Sequence, residues 1–218
     1  MTYRRQHWLR QQHWEAVYRE NDQELVGWYQ AYPALSLRLL RSCGVPPDAP
    51  IVNIGGGSSV LVDHLLDAGY TDVTVLDLSA TALALAKERL GSRSELVTWI
   101  EADVTEHHFE RAYRVWHDRA ALHFLIEAES QARYVDKLTA AVPAGGHVII
   151  ATFAPDGPER CSGLPVKRYS EESLVRTLGA EFEPVRFEYE SHRTPGGSTQ
   201  KFLYGHFERR GSQDIESP

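Results

Sequence analysis

Apolar positions along the chain alternate between short, largely hydrophobic runs and longer stretches in which they recur at helical spacing. Residues 51–54, 73–76 and 147–153 are compact apolar runs, predicting strands buried on both faces. Between the first two, Leu61, Leu65 and Ala68 stand at i, i+4 and i+7 and predict a helix closed by Gly69. Ser79 is placed to cap a second helix carrying Leu83, Ala86 and Leu90, with Gly91 ending it. Residues 96–101 and 113–116 predict two further strands. A helix over 127–142 holds Tyr134, Val135, Leu138 and Val142 in register and stops at Pro143.

The flanks differ. Residues 1–32 mix Trp8, Trp14, Tyr18, Trp28, Tyr29 and Tyr32 with charges and read as helical, and Pro33 opens a helix through Cys43. After residue 153 the rhythm changes to a Pro/Gly-containing loop over 154–168, then a short helix capped by Ser170. Two strand-like runs follow, 182–190 and 199–207, joined by Thr194-Pro-Gly-Gly-Ser198 as a hairpin. Successive β-α units closed by a hairpin predict an α/β fold with a mostly parallel sheet, helices on both faces and an antiparallel ending.

Composition adds exclusions. A chain of 218 residues with 42% hydrophobic and 24% charged residues suits one domain. Within it, 1–48 read as a helical lid and first helix, 49–153 as the core, 154–210 as a loop and hairpin, and the end as a tail. No apolar run approaches the roughly 20 residues of a membrane span, and the N-terminus lacks a signal-peptide pattern. A net charge of −7 without a basic stripe argues against a nucleic-acid partner. Cys43 and Cys161 show no disulfide framework or metal-ligand spacing, so a reduced, cytoplasmic setting and no metal are expected. The oligomeric state stays open.

The chemistry concentrates at Asn53-Ile-Gly55-Gly56-Gly57-Ser58-Ser59 and at Asp77, the tip of the next predicted strand. A strand, a glycine-rich turn, a helix and a second strand ending in a carboxylate hold the adenosine part of a cofactor, the acid accepting ribose hydroxyls. The glycines are contiguous rather than spaced as G-x-G-x-x-G. That spacing and the closing hairpin weigh against the alternative of an NAD-dependent oxidoreductase.

These residues resemble class I S-adenosylmethionine-dependent methyltransferases over roughly 14–207, whose seven-stranded sheet ends in such a hairpin. The resemblance extends to a bacterial branch related to lysine methyltransferases acting on citrate synthase and elongation factor, through Trp28-Tyr29-Gln30 and Val115-Trp116-His117-Asp118-Arg119-Ala120. It implies cofactor contacts from Asn53, Gly55, Gly56, Gly57, Ser59, Asp77, Leu78, Ser79, Asp103, Val104 and Asp118, with Asp103 facing adenine. Asn53 stands where the family has an acid, which leaves a non-catalytic S-adenosylmethionine-binding protein as a further alternative. Ser59 stands at a usual glycine, its hydroxyl available to the cofactor's carboxylate.

Methyl transfer from a sulfonium is an in-line displacement needing positioning and desolvation rather than a metal or a covalent nucleophile. Trp28 and Tyr29, with Trp14 and Tyr18 less strongly placed, are candidates for an aromatic lid over the cation. Asp118 is the candidate acid or base beside the methyl group and His123 a weaker one. His117 reads as structural, His107-His108 as surface loop and Cys161 as a plain thiol. The 154–168 loop is expected to wall the acceptor site. The acceptor is a small-molecule nucleophile at N, O or S, or a protein lysine.

Overall fold

The computed structural model describes residues 3–211, with side chains from residue 8 onward; the tail expected after Gly211 and the Tyr3 side chain lie outside the described residues. Strands β1 (Ile51–Ile54), β2 (Val73–Asp77), β3 (Val97–Glu101), β4 (Val115–Arg119) and β5 (His147–Phe153) pair in parallel. After the short β6 (Arg160–Cys161) and β7 (Leu164–Pro165), the hairpin β8 (Phe182–Arg193) and β9 (Thr199–Arg209) completes a seven-stranded sheet ordered β3-β2-β1-β4-β5-β9-β8. The last strand is inserted antiparallel against β5, leaving β8 at the edge.

Every residue of β1 and β2 is buried, because helices cover both faces of these central strands and remove any need for a polar side. On one face α2 (Ala34–Ser42), α3 (Leu61–Asp67) and α4 (Ala80–Leu90) deliver Leu39, Leu40, Leu65 and Leu83 against Ile51, Val73 and Val75. On the other, α5 (Ala128–Ala141) and α6 (Glu171–Leu178) deliver Tyr134, Leu138, Leu174 and Leu178 against Val52, Leu76 and Trp116. The leading helix α1 (Tyr3–Glu20) lies outside this sandwich, where Glu15 accepts hydrogen bonds from the Thr81 hydroxyl and amide at the start of α4. Strand order reverses between β1 and β4, so a crevice opens at their carboxyl ends.

Two expectations change. The fourth strand runs over 115–119 rather than 113–116: Tyr113 instead donates its amide to the Ala141 carbonyl, and the strand continues through His117-Asp118-Arg119, each of whose side chains hydrogen-bonds inside the protein. The 154–168 segment is not a plain loop. It folds into the β6–β7 ribbon, turned by Ser162 and Gly163, both at positive φ. Among the described residues no helix is long and apolar enough to cross a membrane.

Candidate active site at the carboxyl ends of β1, β2 and β4

Two adjoining cavities occupy the crevice, sharing Tyr18, Trp28, Gly55 and Arg119 as a common wall. The first extends past the end of β2 and β3 and is lined by Asp77, Leu78, Asp103 and Val104, with Trp14 and Phe124 over it. The second lies over the glycine turn and is lined by Asn53, Gly55, Gly56, Ser58, Ser59 and Tyr29.

The turn requires glycine for two reasons. Gly57 has φ of +44°, and a Cβ there would lie 2.7 Å from the Tyr18 hydroxyl and 3.0 Å from Asp77 Oδ2. A Cβ on Gly56 would lie 2.6 Å from Asn53 Nδ2. The turn thus packs too tightly against Asn53, Tyr18 and Asp77 to admit a side chain at either position.

Asp77 is nine-tenths buried at the mouth of the first cavity, and burial pushes its carboxyl up to about 6 against opposing hydrogen bonds from the amides of Ser79, Gly57 and Leu78. Ser79 is fully buried, its hydroxyl accepts the Ala82 amide as the N-cap of α4, and it lines neither cavity. As a ligand contact Ser79 is therefore corrected to a capping residue. Asp103 accepts from the Thr105 amide and from Arg10 Nη2 at 2.8 Å, so α1 reaches across the first cavity and closes on its far carboxylate. Ser59 Oγ accepts from the Leu61 amide at the start of α3 while facing the second cavity.

Asn53 is explained by its neighbour. Its Oδ1 lies 2.9 Å from His117 Nδ1, and His117 Nε2 lies 2.9 Å from Ser36 Oγ. Burial, aided by the charge of Arg119, drives His117 down to about 3. A neutral ring donates from Nδ1 to Asn53 and accepts from Ser36, which satisfies all three groups. An aspartate at position 53 would impose a charge on this fully buried chain.

The aromatic lid comes together. Trp14 meets Trp28 edge-on at 5.7 Å and Phe124 at 4.9 Å, while Tyr18 meets Trp28 at 6.0 Å. Trp14, Tyr18 and Trp28 all face the first cavity, whereas Tyr29 reaches only the second and Trp8 is exposed on α1.

The expected catalytic pair is not brought to the cleft. Asp118 is fully buried and lines neither cavity: its oxygens accept from the Ala121 amide at 2.8 Å, the Leu122 amide at 3.1 Å and the Tyr134 hydroxyl at 2.7 Å. Side chains alternate along a strand, so Asp118 shares the α5 face with Trp116, while His117 and Arg119 share the other. Burial raises its carboxyl to about 6, opposed by those donors. His123 is also fully buried, accepts the Phe153 amide on Nδ1 at 3.3 Å, and is driven down to about 3 by burial and Arg119. Both are corrected to structural residues: the Asp118 oxygens and His123 Nδ1 are engaged inside the protein, and His123 Nε2 is buried away from both cavities.

Arg119 takes the place at the cavity junction. Its guanidinium stacks 4.4 Å from the Phe202 ring centroid, donates to Tyr204 Oη at 2.9 Å and to the Trp28 carbonyl at 3.0 Å, and faces Glu190 at 3.7 Å. Glu190 in turn accepts from Gln30 and Tyr204. The sequence placed Arg119 only within the motif at the fourth strand, and gave Arg10 and Phe202 no role; the one available signal was the alternation along β4. Cys161, from the β6–β7 ribbon, lines the first cavity with its thiol raised by burial to about 11, that of an unreactive cysteine.

A crevice at the switch point of a parallel sheet, with a bare glycine turn and two carboxylates beyond it, defines a nucleoside-cofactor enzyme. The family model "Methyltransferase domain" matches residues 51–146. The eEF1A lysine and N-terminal methyltransferase of Mus musculus is 30% identical over 149 residues, covering 65% of this chain and 21% of that protein; the chain thus spans about a fifth of the length of this relative. Among solved structures, the N-methyltransferase NodS from Bradyrhizobium japonicum, in complex with S-adenosyl-L-homocysteine, superposes with a TM-score of 0.69 at 15% identity over 90% of this chain and 98% of that one. The 1,6-didemethyltoxoflavin-N1-methyltransferase of Burkholderia thailandensis gives 0.64 at 22% identity, covering 82% and 78%. Residues 51–146 thus match a methyltransferase domain, and the chain shares its fold with S-adenosylmethionine-dependent methyltransferases.

Proposed function

We propose that this enzyme methylates an amine nitrogen carried on a protein, a lysine side chain or an N-terminus. The observation that carries the reading is the apolar wall of the first cavity, Trp14, Trp28, Phe124 and Phe202, with the Arg119 guanidinium beside Phe202 and Trp28 and with Asp118 and His123 outside the lining. S-adenosylmethionine, when bound, supplies a methyl group on a positively charged sulfur that leaves readily. The first cavity fits its nucleoside, with Asp77 accepting ribose hydroxyls and Leu78, Asp103 and Val104 around adenine. The second fits its amino-acid end over the glycine turn, beside Asn53, Ser58 and Ser59.

The aromatic rings exclude water and present faces that favour a sulfonium. An alkyl amine entering this wall is desolvated next to a fixed positive charge, and both effects favour its neutral, nucleophilic form. A lysine needs nothing more: its four-methylene stem suits the apolar lining, and its proton leaves to solvent before transfer. The names of the curated relatives, which act on lysine and N-terminal amines, support the same acceptor.

The test is transfer of labelled methyl from S-adenosylmethionine to a cell lysate by the purified chain, followed by fractionation and acid hydrolysis. Label is expected in protein, recovered as N-methylated lysine or an N-methylated terminal residue. Label confined to small molecules, or to protein oxygen or sulfur, overturns the acceptor. Calorimetry showing tight NAD binding and no S-adenosylmethionine binding would overturn the cofactor assignment as well.

A further inference from the structure

At the opposite end of the sheet from the cleft, three side chains from three elements converge. Cys43 caps the C-terminus of α2, His147 opens β5 and His206 lies on β9. Cys43 Sγ is 3.7 Å from His206 Nε2, and that nitrogen is 3.3 Å from His147 Nδ1. All three candidate ligand atoms lie within 4.8 Å of one another. Tetrahedral zinc, with Zn–S of about 2.3 Å and Zn–N of about 2.0–2.1 Å, holds its ligand atoms roughly 3.3–3.6 Å apart. The observed separations need only a small contraction around a central ion.

We propose that Cys43, His147 and His206 form a zinc site that ties α2 to β5 and β9. A thiolate and two imidazoles are the donor set of a borderline-soft, tetrahedral ion rather than of magnesium or calcium. The His147 ring lies against both His206 and the end of α2, which restricts its orientation. Glu208 lies opposite His147 in the strand register but is not one of the three converging ligands, so water completes the fourth position of the proposed site. Burial lowers both histidines; Arg114 adds to this at His147, where Glu208 opposes it, and His147 and Arg186 add to it at His206. His206 is almost fully buried, with no hydrogen-bond partner on Nδ1. Binding breaks the Cys43 S–H bond, releases that proton to solvent and forms an S–Zn bond, with no change of oxidation state. Cys43 lies 104 residues before His147 and His206 lies 59 after it, so sequence spacing cannot reveal the set.

The site is structural. It lies at the amino end of β5, away from the cleft, and holds the helix whose Ser36 partners His117. The experiment is cobalt(II) titration of the full chain after chelation, then displacement by zinc, with thermal unfolding followed in parallel. One equivalent of cobalt is expected to give a thiolate charge-transfer band and tetrahedral visible bands, and zinc to raise the melting temperature. Cys43→Ser should abolish the charge-transfer band. His206→Asn should weaken cobalt binding by at least about tenfold, each variant being shown folded by its retained S-adenosylmethionine affinity. Absence of the band in the wild-type chain overturns the site. So does a band that survives in Cys43→Ser, or an equal zinc stabilisation in the wild type and both variants.

Discussion

Asp118 shows how one strand position separates a catalytic from a structural carboxylate. It accepts from two backbone amides of the turn at 122–124 and from Tyr134, itself bonded to Trp116 Nε1 at 2.9 Å. Asp118→Ala strands those buried donors, so we expect a loss of about 2–4 kcal/mol and a melting temperature lower by roughly 5–15 °C for a domain of this size. S-adenosylmethionine affinity of the folded fraction should stay within about twofold. A carboxyl raised to about 6 by burial contributes stability that is fully present below about pH 4 and lost as pH rises through 6; Asp118→Asn should flatten that part of the stability–pH curve. Lost turnover with unchanged melting temperature and affinity would return Asp118 to the chemistry. Asp77 and the glycine turn were legible in the sequence because strand, turn and strand are contiguous there. The role of Asp118 was not, because it depends on which face the strand presents, and the strand was placed two residues too early. With the strand continued to Arg119, alternation from the apolar Trp116 puts Asp118 on the helix-covered face.

The elements carry a similar division. The parallel strands and their helices were readable from local apolar periodicity, down to the Ser79 cap and the seven residues of β5. The contact between α1 and the body was not readable, since it rests on polar side chains far apart in sequence, Arg10 with Asp103 and Glu15 with Thr81. α1 has no clean apolar stripe of its own, and its position depends on these clamps and on Trp14 and Tyr18 against Trp28 and Phe124. If α1 is the lid, Arg10→Ala should weaken S-adenosylmethionine binding by about 3- to 10-fold, the range for losing one charge-assisted hydrogen bond at a partly exposed site. Combining it with Asp103→Ala should cost less than the sum of the two changes, because both remove one interaction. Calorimetry on the four proteins of the cycle decides this, and strictly additive losses would mean that α1 and Asp103 act separately.

For the whole molecule, the separation of the cleft from Asp118 and His123 makes the pH dependence of turnover diagnostic. On the acid side Asp77, held near 6 by burial in the free enzyme, must be ionised to accept the ribose hydroxyls. kcat/KM for S-adenosylmethionine should therefore fall below about pH 6, and Asp77→Asn should remove that limb along with most of the affinity. On the alkaline side nothing in the lining is placed to take the acceptor's proton, and Arg119 opposes the charged amine throughout. The rate should then rise with pH according to the acceptor's own ionisation. A peptide with a free N-terminus, with an amine near 8, should reach its plateau about two units below a lysine peptide, with an amine near 10.4. Both plateaus should move down together because the same apolar wall desolvates both amines. A limb fixed at one pH for both peptides would locate the proton acceptor in the protein instead, and Cys161, Tyr18 and Glu190 would be the groups to substitute next.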